Sequence, residues 1–225
     1  MVTKPGLVLQ HGAAGPPGVL GEWLAREGIE YETVSVPEAG TLPDPAGHSF
    51  IASLGSQHSV NDRDPAWIGA ELEHLHRAVE ADVPVLGLCF GGQALSTVLG
   101  GGVDALGRPE VGWLPIHSEA DWLAPGPWVH YHNEVLRVPA GAQSLAHNDV
   151  GAAAFMHGPH LGTQFHPEAT AEIVDVWASR DTELDKSGVT RVELATQGAR
   201  HARAARQAAL RLFDAWWTTA QRRMK

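Results

Sequence analysis

Val83-Pro84-Val85-Leu86-Gly87-Leu88-Cys89-Phe90-Gly91-Gly92-Gln93 runs from an apolar stretch straight into small residues, with the only cysteine of the 225-residue chain at the junction. Val83 to Leu86 has the length and β-branched content of a buried strand. Ala94-Leu95-Ser96-Thr97-Val98-Leu99 continues as a helix whose first turn is Phe90 to Gln93. Glycines on both sides of Cys89 permit the strained backbone and close approach that a nucleophile elbow demands. A thiolate at a helix N-terminus faces unpaired N–H groups and the positive end of the macrodipole, which lowers its pKa from the free value of about 8.5. The N–H of Phe90 then points where a tetrahedral oxyanion would form. A buried structural cysteine is the other reading of a lone Cys; the flanking glycines favour the nucleophile.

Outward from this elbow, strand and helix patterns alternate. Gly6 to Gln10, Glu32 to Val36 and His48 to Ala52 read as strands. Val19 to Glu27 reads as a helix closed by Gly28, and Asp64-Pro65 caps a helix running to Ala81 with Leu72, Leu75 and Val79 on one face. Such alternation predicts a parallel α/β sheet, whose ligands bind beyond the carboxyl ends of its strands. From Val103 to Phe165 the pattern changes to short strands broken by Gly and Pro: Val111 to Ile116, Trp128 to Tyr131, Val135 to Val138, Gly151 to Phe155 and Leu161 to Phe165. These are expected to be antiparallel strands added to the same sheet.

Composition narrows the function classes. At 24.0 kDa, with 44% hydrophobic and 19% charged residues, the chain is ordinary for one core plus an appendage. A net charge of −10 argues against nucleic acid or an anionic membrane as partner, because either needs a basic face. Met1-Val2-Thr3-Lys4-Pro5 lacks the apolar core of a signal peptide, and no stretch reaches the roughly 20 apolar residues of a span. A cytoplasmic location is the expectation. Gly12-Ala13-Ala14-Gly15-Pro16-Pro17-Gly18 has neither a Gly-x-Gly-x-x-Gly pattern nor a P-loop lysine, so no nucleotide or other cofactor is expected.

A cysteine nucleophile needs a base, and the chain offers thirteen histidines. Leu161-Gly162-Thr163-Gln164-Phe165-His166-Pro167-Glu168 places His166 at a strand end. With Pro167 holding the backbone extended, Glu168 shares a face with His166 and orients its imidazole. Cys89, His166 and Glu168 then supply nucleophile, base and orienting carboxylate. His130, His132 and Glu134 share one strand face, but no further Cys, Asp or His at a matching spacing completes a zinc site, and no metal is expected. His74 and His76 are expected on the solvated face of their helix.

Gly87-Leu88-Cys89-Phe90-Gly91-Gly92-Gln93 and Gly162-Thr163-Gln164-Phe165-His166-Pro167-Glu168, with His166 77 positions after Cys89, together resemble the class I (triad) glutamine amidotransferase family. Ser53 to Asp62 is similar to its oxyanion loop, and Val129-His130-Tyr131-His132-Asn133-Glu134 to its His-x-His-Gly-Asp segment. The likeness spans about residues 6 to 178, and is strongest to stand-alone domains related to the glutaminase part of guanosine monophosphate synthetase. The resemblance implies a flavodoxin-like α/β fold: an open, twisted, mostly parallel sheet flanked by helices, with added antiparallel strands. It further implies Cys89, His166 and Glu168 as the triad, Gly55 and Phe90 as oxyanion donors, and Gln93 as a holder of the amino-acid end of glutamine. The reaction implied is attack on the glutamine side-chain amide, loss of ammonia and hydrolysis of a γ-glutamyl thioester, with a separate synthetase as partner. Leu54 and Ser56 stand where the family's loop has glycine and proline, Asn133-Glu134 where it has Gly-Asp, and Ala153 where many members carry Gln. These departures keep a γ-glutamyl hydrolase open as the alternative.

The catalytic unit is expected over residues 1–185 and a helical extension over 186–225. From 191 onward, Ala195, Ala199, Ala202, Ala205, Ala209, Phe213, Trp216 and Ala220 recur at helical spacing on a segment with eight cations and two anions. The chain's own acidic body, a second copy or a synthetase could each receive it. Packing that includes a subunit interface, of which a homo-oligomer is one form, is the expectation, because Phe213, Trp216 and Trp217 would otherwise form an apolar patch in water.

Overall fold

The computed structural model describes residues 4–223; Met1 to Thr3, Met224 and Lys225 lie outside the described residues. In chain order its elements are β1 (Gly6–Gln10), α1 (Gly18–Glu27), β2 (Tyr31–Ser35), β3 (Ile51–Ser53), α2 (Trp67–Glu80), β4 (Val85–Leu88), α3 (Phe90–Val98), β5 (Val103–Leu114), β6 (His117–Ser118), β7 (Trp128–Leu136), β8 (Gln143–Asn148), β9 (Gly151–His157), β10 (His160–Thr163), α4 (Ala171–Arg180) and α5 (Arg191–Arg223). Leu7, Val8 and Leu9 of β1 are all fully buried, which a strand covered on one face cannot achieve. Leu7 and Leu9 pack with Ile51, Leu75, Val85 and Leu95 on one side, and Val8 with Leu20, Trp23, Leu86 and Trp216 on the other. That two-sided cover makes the apolar runs of β1 and β4 the centre of a three-layer α/β fold.

One eight-stranded sheet runs in the order β2-β1-β3-β4-β10-β9-β8-β6. Its first five strands are parallel, and β9, β8 and β6 extend it antiparallel. The addition of every later strand to this sheet is not what the structure shows. β5 and β7 form a separate two-stranded ribbon, bulged between Ala105 and Glu110. The ribbon stands apart because it has its own cover: Val111, Trp113 and Val129 pack against Ile173, Val174 and Leu194 of α4 and α5. β7 is also one strand where two were expected, and the sequence reading missed β8 and α4.

Helix ends follow local chemistry. Gly28 closes α1 with φ +64°, its N–H reaching the Leu24 and Ala25 carbonyls. α2 begins at Trp67, after the expected Asp64-Pro65 start, and turns Glu71, His74, Leu75 and Ala78 inward. His74 is therefore buried, not solvated, and neither ring nitrogen has a hydrogen bond. Burial, with Arg77 adding to it, lowers its pKa to about 4, so it stays neutral at physiological pH. His76 is half exposed, as expected.

α5 spends its apolar seam inside the chain. Phe213 and Trp216 are fully buried against Trp23 and Phe50, with Trp216 Nε1 donating to the Pro159 carbonyl at 3.1 Å. The patch expected at a subunit interface is thus covered by α1 and the sheet. Arg206 pairs with Glu22 at 2.6 Å, Arg191 with Asp175 at 2.8 Å, and Trp23 Nε1 donates to Asp214 at 2.8 Å. Exposed pairs of this kind contribute only about 0–1 kcal/mol each, so the aromatic contacts hold the helix. Trp216→Ala should cost about 3–5 kcal/mol in chemical denaturation. On the same helix, Val192→Ala, at a position 75% exposed, should stay within about 0.5 kcal/mol of the parent.

Candidate functional site

Cys89 sits between β4 and α3 with φ +52° and ψ −105°, a positive φ that non-glycine residues seldom adopt. Its neighbours explain how the turn is held. A Cβ at Gly91 would lie 2.0 Å from the Ser53 carbonyl oxygen, one at Gly92 2.3 Å from that of Thr163, and one at Gly87 2.3 Å from that of Gly91. The first turn of α3 is thus pressed onto β3 and β10 more closely than any side chain allows. The Cys89 N–H donates to the Thr163 carbonyl at 2.9 Å and Gly91 N–H to that of Leu54 at 3.1 Å. Phe90 is the first residue of α3, where an amide has no acceptor within its helix.

Adjacent strands bring the other groups to the same edge. Just beyond the carboxyl ends of β1, β3, β4 and β10 stand His11, Gly55, Cys89 and His166, where an open α/β sheet binds its ligands. Gly55 is so close to the thiol and imidazole that a Cβ there would lie 2.7 Å from His166 Cε1 and 3.8 Å from Cys89 Cβ. Its carbonyl faces His11 Nδ1 at 3.1 Å, while His11 Nε2 meets Glu71 Oε2 at 2.6 Å. Glu71, fully buried on α2, also accepts from Ser53 Oγ at 2.7 Å. The loop that carries Gly55 is therefore anchored through two buried side chains that the sequence reading did not single out. The one signal available for His11 was its place after an apolar strand.

His166 lies three residues past β10. Its N–H donates to Val129 of the ribbon at 2.8 Å, and its Nδ1 meets Glu168 Oε1 at 2.7 Å. The backbone between them is not extended, as expected from Pro167, but turned, with Ala169 N–H donating to the His166 carbonyl at 3.3 Å. Glu168 reaches the ring across that turn. The Glu168 carbonyl in turn accepts from Val19 N–H at 2.9 Å, and a Cβ at Gly18 would lie 2.2 Å from it, so α1 fixes the Glu168 backbone from behind. Burial alone would lower the His166 pKa; the negative charges of Cys89 and Glu168 override it and hold the imidazole up to about 10. Trp177 of α4 packs on the same ring, with centroids 4.7 Å apart.

A cleft of about 640 Å³ opens over these groups, lined among others by Gln93, Tyr131, His132, Glu134 and Arg180. Gln93 is buried, donating to the Glu134 carbonyl at 3.1 Å and to Gln164 Oε1 at 3.3 Å. Gln164 also takes the Leu136 N–H at 2.8 Å and turns Nε2 toward Cys89 Sγ at 3.7 Å, a contact no sequence signal indicated. Glu134 does not join His130 and His132 as their carboxylate partner; its Oε1 accepts from Ser59 Oγ at 2.8 Å. Glu110, from the opposite strand of the ribbon, takes that place, 2.8 Å from His130 Nδ1 and 2.9 Å from His132 Nε2. Among the described residues no helix is long and apolar enough to cross a membrane.

The family model Glutamine amidotransferase class-I matches residues 58–176. One subunit of the glutamine-hydrolysing GMP synthase of Ignicoccus hospitalis is 37% identical over 95 residues, 38% of this chain and 50% of that protein. The glutamine-hydrolysing GMP synthase of Staphylococcus carnosus is 32% identical over 127 residues, 52% of this chain and 24% of that one. The matched stretch therefore spans half or less of these relatives. A glutamine amidotransferase from Methylobacillus flagellatus has a similar structure, with a TM-score of 0.87 and 25% identity over 96% of this chain and 95% of that one. Another from Thermotoga maritima shares the fold, with a TM-score of 0.85 and 18% identity over 96% and 99%. With the elbow, the strand-end groups and the fold in agreement with that match over more than half its length, this chain belongs to the class I glutamine amidotransferase family.

Proposed function

We propose that the protein is a cysteine-dependent amidohydrolase that cleaves the side-chain amide of glutamine through a γ-glutamyl thioester and releases ammonia to a separate synthetase. One observation carries this reading: Cys89, the Glu168-bound imidazole of His166 and the Gly55 loop converge at the carboxyl edge of three neighbouring strands, under one cleft. Residues 1–185 form the catalytic unit on this reading, and 186–225 the extension that completes its core. The synthetase partner rests on the relatives named above.

The steps follow from charge and position. Cys89 Sγ attacks the amide carbon, and the new oxyanion is met by the N–H groups of Phe90 and Gly55. His166 gives its proton to the departing nitrogen, so ammonia leaves as a neutral molecule and the thioester remains. The imidazole then takes a proton from water, whose oxygen attacks the thioester carbon; the C–S bond breaks, glutamate leaves, and the Cys89 thiolate is restored beside the protonated imidazole. Glu168 keeps the ring oriented through both halves. Gln93 lines the substrate end of the cleft. A γ-glutamyl amine would undergo the same steps with an amine leaving, and the changed loop residues Leu54 and Ser56 favour testing that class beside glutamine.

Ammonia and glutamate release should fall about 10⁴-fold or more in Cys89→Ala and nearly as far in His166→Ala, with a smaller loss in Glu168→Gln, because members of such a set act as a unit. Full activity in Cys89→Ala, or turnover of γ-glutamyl amines but not glutamine by the parent, would overturn the glutaminase reading. Gly55→Ala tests the close approach separately. Its methyl group meets a ring that is buried and tied to Glu168, so turnover should drop about 100-fold or more while the fold survives, as seen in thermal unfolding and near-ultraviolet dichroism.

The His166 charge has its own signature. A folded pKa of about 10 lies above the free value of 6.5, so the stabilisation from this charge is fully present below pH 6.5 and disappears as pH rises through about 10. Nuclear magnetic resonance titration of the His166 ring should find that midpoint. In Cys89→Ser, which removes one of the two facing charges while burial stays, the midpoint should fall by about 2 units. An unchanged midpoint would separate His166 from Cys89.

A further inference from the structure

Glu110, His130 and His132 meet on the ribbon for reasons of register. Glu110 lies directly opposite His132 across the β5–β7 pairing, and His130, two residues earlier on β7, presents the same face. Glu110 Oε2 is 2.8 Å from His130 Nδ1 and 2.9 Å from His132 Nε2, and the two nitrogens are 3.3 Å apart. Ligands about 2.0–2.2 Å from a tetrahedral zinc ion are spaced by about 3.3 Å, so the three atoms need only small shifts to share one cation. All three side chains are buried or nearly so, with side-chain exposures of 12% for Glu110, 1% for His130 and 2% for His132.

Two further features distinguish this cluster from an ion pair that has found its partners. His130 Nε2, buried, has no hydrogen bond among the described residues, so nothing there holds a proton on that nitrogen rather than on Nδ1. The surrounding groups also hold the donors as the outer partners of a metal site do. His132 Nδ1 donates to the Glu134 carbonyl at 2.9 Å, which leaves the Nε2 lone pair facing the cluster, and Glu110 Oε1 accepts from Asn148 Nδ2 at 2.8 Å.

We propose that Glu110 Oε2, His130 Nδ1 and His132 Nε2 form a binding site for a divalent transition-metal ion, zinc by its donor set. Two imidazoles and one carboxylate match a three-ligand zinc site with a fourth position open to water, and one carboxylate offsets part of the ion's charge. His132 lines the cleft, which gives the ion a path of entry. The ion braces β5 to β7 next to Val129, whose carbonyl holds the His166 backbone. It is separate from the thiol chemistry proposed above and stands or falls independently of it.

Cys89 and His166 could themselves take zinc, so the experiment uses the full chain carrying Cys89→Ser, freed of metal with a chelator. Titration calorimetry with zinc should find one equivalent bound at micromolar or tighter affinity, with a matching rise in melting temperature. X-ray absorption of that sample should show nitrogen and oxygen ligands at about 2.0–2.1 Å and at least two imidazoles. Cobalt should give the intense visible bands of a four- or five-coordinate ion. His130→Gln and Glu110→Gln, checked for folding by near-ultraviolet dichroism, should each weaken zinc binding at least tenfold. No stoichiometric zinc in the Cys89→Ser protein would overturn the proposal. So would zinc of unchanged affinity in both folded variants, or a spectrum without imidazole ligands.

Discussion

The approach of α3 to the sheet is the constraint on which the site depends. Three glycines let the helix start pass within contact distance of the backbone of β3, β10 and its own following turn, and this contact turns Cys89 into positive φ. If any of the three carried a methyl group, the helix would have to move out by more than an ångström, and the thiol with it. The same approach lets the Cys89 and Gly91 amides bond to the strands on either side. The strain at Cys89 is therefore not stored locally; it is imposed by packing across three strands, and the rigidity of the sheet centre transmits it.

Charge placement follows from that geometry. The imidazole of His166 lies between Cys89 and Glu168, buried from solvent, and the two anions outweigh a desolvation that acting alone would keep the ring neutral. Such a balance needs all three groups held without slack, and each is anchored by a different element. α3 and β4 hold the thiol, the ribbon holds the His166 backbone through Val129, and α1 holds Glu168 through Val19. Gly55 approaches from β3, its carbonyl secured by His11 and Glu71. Five separate segments thus converge on a few ångströms of space, and a shift in any one of them would alter the balance.

What could be read from the sequence divides along physical lines. The elbow was legible because its geometry is local: strand, cysteine and glycines are contiguous, and the glycine spacing encodes a helix pressed on a sheet. The parallel strands were legible from short apolar runs. The Glu110–His130–His132 cluster was not, since it depends on a cross-strand register that a bulge between Ala105 and Glu110 displaces. His11 and Glu71 lie 60 residues apart and meet only through the order of strands. His74 was misread because polarity outweighed its position on the same face as Leu75 and Ala78. The turn at Pro167 was misread because proline fixes only its own φ and leaves the following residue free to fold back.

The last helix shows how sequence pattern can give an element and still leave its partner open. Alanines at helical spacing, with Phe213 and Trp216 among them, require a close apolar surface but do not say whose. The structure supplies it from Trp23 and Phe50, and the small alanine side chains explain why α5 can lie near α1 at all. The charge asymmetry points the same way, since Arg206 and Arg191 find Glu22 and Asp175 on the acidic remainder of the chain. Because α5 also accepts the Trp113 N–H of β5 through Gln197 at 2.9 Å, one helix spans from the outer face of α1 to the ribbon beside the cleft. The extension therefore packs on the same ribbon whose Val129 carbonyl holds the His166 backbone.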